Sequence, residues 1–166
     1  MHLQTFVFRT GAAALIALGI AACTSTPLPP PQPGHTATPP PRQALFVRPA
    51  VGTSVGRFDG VRNKGVDIAG NLGDPIIASA DGRVVYVGNE LPAYGNMVIV
   101  KHNETYLTAY AHNQAILVKE GAVVRQGEKI AEMGKNETGR VLLHFEIRKN
   151  GVAVDPDPYL SGLLQQ

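Results

Sequence analysis

Short apolar runs separated by glycine and other turn-forming residues fill the chain from Ala44 onward. Turn residues such as Asp81-Gly82 and Asn150-Gly151 lie between these runs. Six runs have the length and the β-branched or aromatic content of strands: PIIAS (75–79), GRVVYVG (82–88), NMVIVKH (96–102), TYLTAYAH (105–112), EKIAEMG (128–134) and LLHFEIRK (142–149). No stretch keeps a helical period. The sequence therefore predicts an all-β domain of short, mostly antiparallel strands.

Two glycine-containing segments of this domain share a similar order of residue types. Residues 73–88 and 121–134 each place glycine, an apolar pair, a second glycine and further β-branched residues in a similar order. This order predicts barrel-sandwich-like halves. A biotin or lipoyl carrier domain would present a lysine at a hairpin tip between such halves, and the sequence has no lysine placed in that way.

The first 22 residues have the pattern of a secretory signal peptide. Arg9 precedes an uncharged stretch from Thr10 to Ala22, which is too short to span a bilayer comfortably. Ile20-Ala21-Ala22-Cys23 resembles a bacterial lipobox, and Cys23 is the only cysteine of the chain. We expect lipidation at Cys23, with an ordinary signal peptide and a chance cysteine as the alternative. Thr24 after the cysteine, by resemblance to Gram-negative lipoproteins, favours the periplasmic face of the outer membrane.

A proline-rich segment separates this cysteine from the domain. Residues 24–43 contain eight prolines and no pattern of core-forming residues. Such a segment is a semi-rigid tether with a full reach of roughly 60 Å. The expected organisation is a signal peptide (1–22), lipidated cysteine and tether (23–43), domain (44–161) and tail (162–166).

The charged residues do not indicate a nucleic-acid partner. The chain has 15 basic and 13 acidic residues, and neither kind clusters along the sequence.

Four polar residues at separate places in the domain are candidates for a common site: Asn63, Asp67, His112 and His144. Each also has an ordinary structural interpretation. Asp67 suits a turn cap, His112 suits an exposed strand end, and His144 suits a core histidine with a backbone partner.

Taken in order, six stretches resemble the LytM, or lysostaphin-type, zinc metallopeptidase family, which cuts peptidoglycan cross-bridges. They are NKGVDIAG, GDPIIASADGRVVYVG, YGNMVIVKH, YLTAYAHN, VRQGEKIAEMG and LHFEIR. In active members the first stretch supplies His-x-x-x-Asp, and both residues bind zinc. The Tyr-Ala-His stretch supplies a catalytic histidine. The last stretch supplies His-x-His, whose second histidine binds zinc while the first assists catalysis.

The resemblance assigns a role to each matching position. Asp67 and His144 correspond to zinc ligands, and His112 corresponds to the catalytic histidine. Asn63 stands where the first zinc-binding histidine is expected, and Leu142 stands where the assisting histidine is expected. Catalytic zinc normally has three protein ligands and an open water position, and an amide oxygen is a poor zinc donor. Leucine cannot transfer a proton. We therefore expect vestigial metal and catalytic residues, no cofactor and no enzymatic activity.

With these two replacements the sequence resembles the NlpD-type subfamily of outer-membrane lipoproteins, whose LytM domain is degenerate. The resemblance implies a non-catalytic activator of a periplasmic N-acetylmuramoyl-L-alanine amidase in cell division and daughter-cell separation. The expected partners are this amidase, peptidoglycan, and the outer membrane through the lipid anchor. Such proteins usually carry a LysM module between anchor and domain, where this sequence has only the tether.

The former active-site groove is the expected partner-binding surface, formed by Asn63, Asp67, Tyr110, His112, Leu142 and His144. The alternatives are an active zinc metalloendopeptidase that cleaves peptidoglycan cross-bridges, for which zinc would be the cofactor, and a structural lipoprotein that only touches the wall.

Overall fold

Strands account for nearly all regular structure in the computed structural model, which describes residues 46–164. The strands are β1 (Ser54–Gly56), β2 (Val66–Ala69), β3 (Pro75–Ile77), β4 (Gly82–Gly88), β5 (Met97–Lys101), β6 (Tyr106–Ala111), β7 (Asn113–Ile116), β8 (Val123–Val124), β9 (Lys129–Met133), β10 (Leu142–Lys149) and β11 (Val152–Val154). A 3-10 turn (Pro92–Tyr94) and a single-turn helix, α1 (Asp157–Leu160), complete the regular elements of this range. The predicted signal peptide, Cys23 and the tether lie outside the described residues.

The strands form two sheets in which every pairing is antiparallel. The larger sheet has the order β1-β2-β10-β6-β5-β4-β8, and β11 pairs with β10. The smaller sheet has the order β3-β9-β7. The predicted all-β class with antiparallel strands is confirmed.

Strand β10 shows how the sequence gives the large sheet two different faces. Side chains alternate across a strand, so residues two apart share a face. Leu143, Phe145 and Ile147 are all fully buried and belong to the main hydrophobic core. His144 and Glu146 lie on the opposite face. The chemistry-bearing residues of this strand are therefore on the outer face of the sheet.

Strand register brings distant parts of the sequence together on that outer face. Asp67 of β2 lies directly opposite His144 of β10, and His144 lies opposite Ala111 of β6. Directly opposed residues have Cβ atoms within contact distance. Residues separated by 77 positions thus become neighbours through pairing alone.

The two similar glycine-containing segments pair with each other. Strand β3 pairs with β9, and β4 pairs with β8, so each segment contributes one strand to each pairing. This pairing joins the two sheets along the chain.

The turn at Asn150-Gly151 connects β10 to β11 as a two-residue hairpin. Both residues have positive φ angles, 51° and 80°. Asparagine and glycine are the residues that best adopt this conformation, which matches the twist of the flanking strands. Across residues 46–164, no helix has the length and apolar character required to cross a membrane.

Candidate functional site

A cavity of about 340 Å³ opens on the outer face of the large sheet. Its lining residues come from the loop before β2, from β2, from the 3-10 turn, and from the ends of β6 and β10. They are Arg62, Asn63, Lys64, Asp67, Ala93, Tyr94, His112 and His144. Four of the six residues predicted for the groove therefore line one cavity.

An ion pair between Asp67 and His144 forms the floor of this cavity. The Nδ1–H of His144 donates to Oδ1 of Asp67 at 2.7 Å. The other ring nitrogen, Nε2, lies 3.2 Å from Oε1 of Glu146. Because carboxylates accept and do not donate, both ring nitrogens carry a proton when both contacts are made. The imidazole is then a cation held between two anions.

The pKa of His144 agrees with this arrangement. Burial favours the neutral ring, but hydrogen bonds to Asp67 and Glu146 outweigh burial and raise the pKa to about 9. His144 is therefore protonated at neutral pH.

Glu146 is a buried carboxylate that sequence reasoning had not placed at the site. Its side chain is fully buried. Burial disfavours its charged form, but hydrogen bonds from His144, Arg148 and Tyr94 lower its pKa below the ordinary value. Tyr94 Oη donates to Oε1 at 2.8 Å, and Arg148 Nε donates to Oε2 at 2.7 Å. The floor is thus a continuous network of two anions and two cations.

The side chain of Asn63 is oriented by Gly65 and Asp67. Its Oδ1 accepts the Gly65 N–H at 2.9 Å, and its amide Nδ2 donates to Oδ2 of Asp67 at 3.2 Å. The amide oxygen of Asn63 is therefore already hydrogen-bonded to the backbone, and its NH₂ group faces the carboxylate of Asp67. Gly65 must be glycine because a Cβ there would lie 2.1 Å from the carbonyl oxygen of Phe145.

His112 reaches the cavity through an unusual backbone conformation. Its φ is 63°, a left-handed value that is uncommon for residues other than glycine. Its N–H donates to Tyr94 O at 2.9 Å, and its carbonyl accepts the Gly134 N–H at 2.8 Å, which fixes the turn. Burial lowers the pKa of His112 and the neighbouring His144 cation lowers it further, so this ring is neutral at pH 7.

The prediction that Tyr110 lines the groove is wrong. Tyr110 is fully buried in the main core, where its Oη accepts the Ser79 N–H at 2.8 Å and lies 2.9 Å from Thr108 Oγ1. Alternation along β6 directs Tyr110 to the core, and the same alternation would direct His112 there too. The left-handed turn at His112 reverses the direction of that side chain alone.

Leu142 shares the face of β10 that carries His144, but it does not line the cavity. Only 3% of its surface is exposed. Its backbone lies opposite Ala69 of β2. Its contribution at this position is apolar packing beside the site.

A family model described as peptidase family M23 matches residues 61–156, which is more than half of the chain. The chain belongs to peptidase family M23. The matched range contains every residue predicted for the groove, and the predicted resemblance to the LytM family is confirmed.

Individual relatives of this M23 chain include named lipoproteins. A Pseudomonas aeruginosa protein named lipoprotein NlpD/LppB homolog is 57% identical over 114 residues, covering 68% of this chain and 38% of that protein. The Escherichia coli murein hydrolase activator NlpD is 58% identical over 98 residues, covering 59% of this chain and 26% of that protein. The predicted resemblance to NlpD-type lipoproteins is confirmed. The chain spans well under half the length of these two relatives.

A solved peptidase structure has the same fold. A zinc-containing peptidase from Vibrio cholerae superposes with a TM-score of 0.62 at 30% identity, covering 74% of this chain and 40% of that protein. The metal named for that peptidase is zinc, so zinc is the metal against which the donors of the cavity are compared.

The donors present in this M23 domain do not fit catalytic zinc. Both oxygens of Asp67 accept hydrogen bonds, from Asn63 and His144, and both nitrogens of His144 face carboxylates. Asn63 turns its NH₂ group, which cannot bind a metal, toward Asp67. Across residues 46–164, no group of three or more His, Cys, Asp or Glu side chains is placed to hold a metal ion. A third ligand is missing from the set that zinc requires.

Sequence reasoning missed several residues of the site, and only some of them left a signal. Glu146 and Arg148 follow His144 at intervals of two along β10, so alternation alone would have placed them beside it. Arg62 and Lys64 lie in the loop before β2, and Tyr94 ends the 3-10 turn in the connection between β4 and β5. Their position depends on how those loops fold over the sheet, which has no periodic signature.

Proposed function

We propose that this chain is a non-catalytic activator of a periplasmic N-acetylmuramoyl-L-alanine amidase, acting in peptidoglycan remodelling and daughter-cell separation. The observation that carries this proposal is the closed network in the former metal site. Asp67 and His144 bond to each other and to Asn63 and Glu146, so the polar groups that would activate water are already satisfied. The name of the Escherichia coli relative, murein hydrolase activator, supports the same function.

The network gives the cavity a rigid floor on which a partner segment can rest. Its members are two carboxylates and two cations, so their charges balance within the domain. Hydrogen bonds in a low-dielectric network hold side chains in a single arrangement. Partner binding to such a preformed surface loses little side-chain freedom. The bound segment of the amidase is thereby held away from the amidase's own active site.

The same proposal includes the location of the protein. Relatives at 57% and 56% identity are named as lipoproteins. Lipidation of Cys23 would anchor the chain at the periplasmic face of the outer membrane, and the tether would let the domain reach amidases bound to peptidoglycan. No metal cofactor is required for this function.

Dye release from labelled sacculi tests the proposed function. Each periplasmic amidase of the host is assayed alone, with the full chain, and with the full chain plus zinc. We expect release by the mixture to exceed release by the amidase alone, and no release by the chain alone. Lack of stimulation of every amidase would contradict the proposal.

One observation favours a second function, that of a zinc metalloendopeptidase. Asp67, His112 and His144 still meet in one cavity, as active members of the family require. Release of dye by the full chain with zinc, in the absence of any amidase, would establish this alternative.

A substitution at the cavity mouth tests the docking site. Ala93 is exposed and lines the cavity, so Ala93→Trp would fill it without changing the core. We expect this variant to lose stimulation while remaining folded. Val152 is 68% exposed and is absent from the cavity lining, so Val152→Trp is the matched control and should stimulate normally.

A further inference from the structure

The loop before β2 is locked by one carboxylate. Oδ1 of Asp59 accepts three consecutive backbone N–H groups, from Val61 at 2.8 Å, Arg62 at 2.7 Å and Asn63 at 2.9 Å. Each of these donors would otherwise require water, since no strand partner faces them. The carboxylate therefore fixes the backbone of residues 61–63.

The same loop is closed from the other side by a backbone carbonyl. The carbonyl oxygen of Asn63 accepts the N–H groups of Asp59 at 3.1 Å and Gly60 at 3.2 Å. Lys64 Nζ donates to the carbonyl oxygen of Gly60 at 2.5 Å. We call residues 59–64 the rim loop. Its shape is set before any partner arrives.

The rim loop presents two side chains that have no role inside the fold. Val61 is 79% exposed, although an apolar side chain gains nothing from water. The side chain of Arg62 is 92% exposed, and its Nε lies 3.8 Å from Oδ2 of Asp59. A pair this exposed contributes little free energy, so the guanidinium is free to turn to another anion.

The charge and polarity of the cavity mouth specify the kind of segment that fits. Arg62 and Lys64 both line the cavity on the side of the rim loop. On the side of the 3-10 turn the lining residue Ala93 is apolar, and the nearby Leu91 is 50% exposed. An occupant of the cavity therefore meets the cations of Arg62 and Lys64 on one wall and the apolar Ala93 on the other. The exposed side chain of Val61 belongs to the same rim loop, outside the cavity lining.

We infer that the rim loop is a specificity determinant that docks an acidic, partly apolar segment of the partner hydrolase. The inference rests on the proposed function and identifies the chemistry of the segment that the cavity takes. Complementary charge raises the rate of association and selects among partners. A loop that is already ordered loses less conformational entropy on binding, so more of the interaction energy contributes to affinity.

Substitutions in the rim loop of the full chain test this inference against purified host amidases. Two quantities are measured: the association rate constant over a range of salt concentrations, and the chain concentration that gives half-maximal dye release. Arg62→Glu is expected to lower the association rate about tenfold at low salt and to remove most of its salt dependence. Val61→Asp is expected to raise the half-maximal concentration about tenfold.

The matched controls lie at the opposite edge of the large sheet. Val123 of β8 is 66% exposed and Arg125 is also exposed. Val123→Asp and Arg125→Glu make the same chemical changes away from the cavity, and both should behave as the wild type. Equal losses in these controls and in the rim-loop variants would overturn the inference.

A pair of substitutions at Asp59 separates shape from charge. Asp59→Asn keeps an oxygen acceptor for the three N–H groups, whereas Asp59→Ala removes it. The expected result is stimulation at or above the wild-type level by the asparagine variant, which also removes the anion beside Arg62, and about tenfold weaker binding by the alanine variant. Wild-type behaviour of Asp59→Ala would overturn the role of the locked loop.

The outcomes distinguish this inference from the function on which it rests. If the wild-type chain stimulates an amidase and Arg62→Glu stimulates it equally well with the same salt dependence, the rim loop is not the determinant. If the wild-type chain stimulates no amidase, the proposed function fails first.

Discussion

Raising the pH from 6 to 9.5 should destabilise the domain through a single proton on His144. The ordinary histidine pKa is 6.5, and in the folded domain the pKa of His144 is about 9. Because the folded state holds this proton more tightly, its stabilising contribution is complete below pH 6.5 and is lost as the pH rises through 9. Each pH unit corresponds to about 1.4 kcal/mol for one proton, so the contribution of His144 to the free energy of unfolding should fall by about 3 kcal/mol over this interval.

Urea denaturation of the full chain in buffers between pH 6 and 9.5 measures this loss. Burial lowers the pKa values of His102 and His112, so near pH 6.5 the unfolded state binds more protons at these rings and they make stability rise slightly with pH. Above about pH 7.5 both rings are neutral in both states and add no slope. The control is His144→Gln, which keeps a hydrogen-bonding side chain but has no proton to lose. This variant should show no fall in stability with pH, only the slight rise from His102 and His112 below about pH 7.5, so the difference between the two profiles isolates His144.

A flat wild-type profile would refute the reasoning, because it would mean that His144 is neutral in the folded domain. A neutral ring can donate to only one of its two carboxylate neighbours. The site would then resemble a metal site awaiting its ion. An NMR titration of the His144 ring, with a midpoint near 6.5, would lead to the same conclusion.

Four further substitutions probe the packing in and around the site, each measured by urea denaturation. Glu146→Gln should lower the free energy of unfolding by about 3 kcal/mol, since it leaves the buried His144 cation without one of its anions. Gly65→Ala should cost about 2 kcal/mol because the added Cβ would lie 2.1 Å from a carbonyl oxygen. Gly139→Ala, with open space around its Cβ and a φ of 79°, should cost about 1 kcal/mol. Phe145→Ala should cost about 4 kcal/mol, since it leaves a cavity in the main core.

Much of the strand pattern could be predicted from the sequence because each long strand has its own apolar run. The run at 142–149 matches β10 throughout, and the run at 82–88 matches β4. The strands that were not predicted, such as β1 and β8, have three and two residues. Segments this short show no alternation of apolar and polar residues. They form strands because their backbone groups hydrogen-bond to a neighbouring strand.

Sequence motifs predict the site residues that strand pairing brings together. They do not predict residues whose position depends on a local backbone conformation. Asp67 and His144 meet through strand register, which the order of motifs already implied. Tyr110 was placed on the wrong face because the left-handed turn at His112 is invisible in a pattern of alternating residues. The closed hydrogen-bond network beneath the cavity depends on Glu146, whose role becomes apparent only once its burial is known.

Mass spectrometry of the products released from intact sacculi tests the central claim most directly. The full chain, supplied with zinc, is incubated with sacculi alone and together with the amidase that it stimulates. If the chain activates the amidase and is not itself a hydrolase, the mixture will cut only the bond between muramic acid and peptide, at a higher rate than the amidase alone. Cleavage of peptide cross-bridges by the full chain alone would contradict the account.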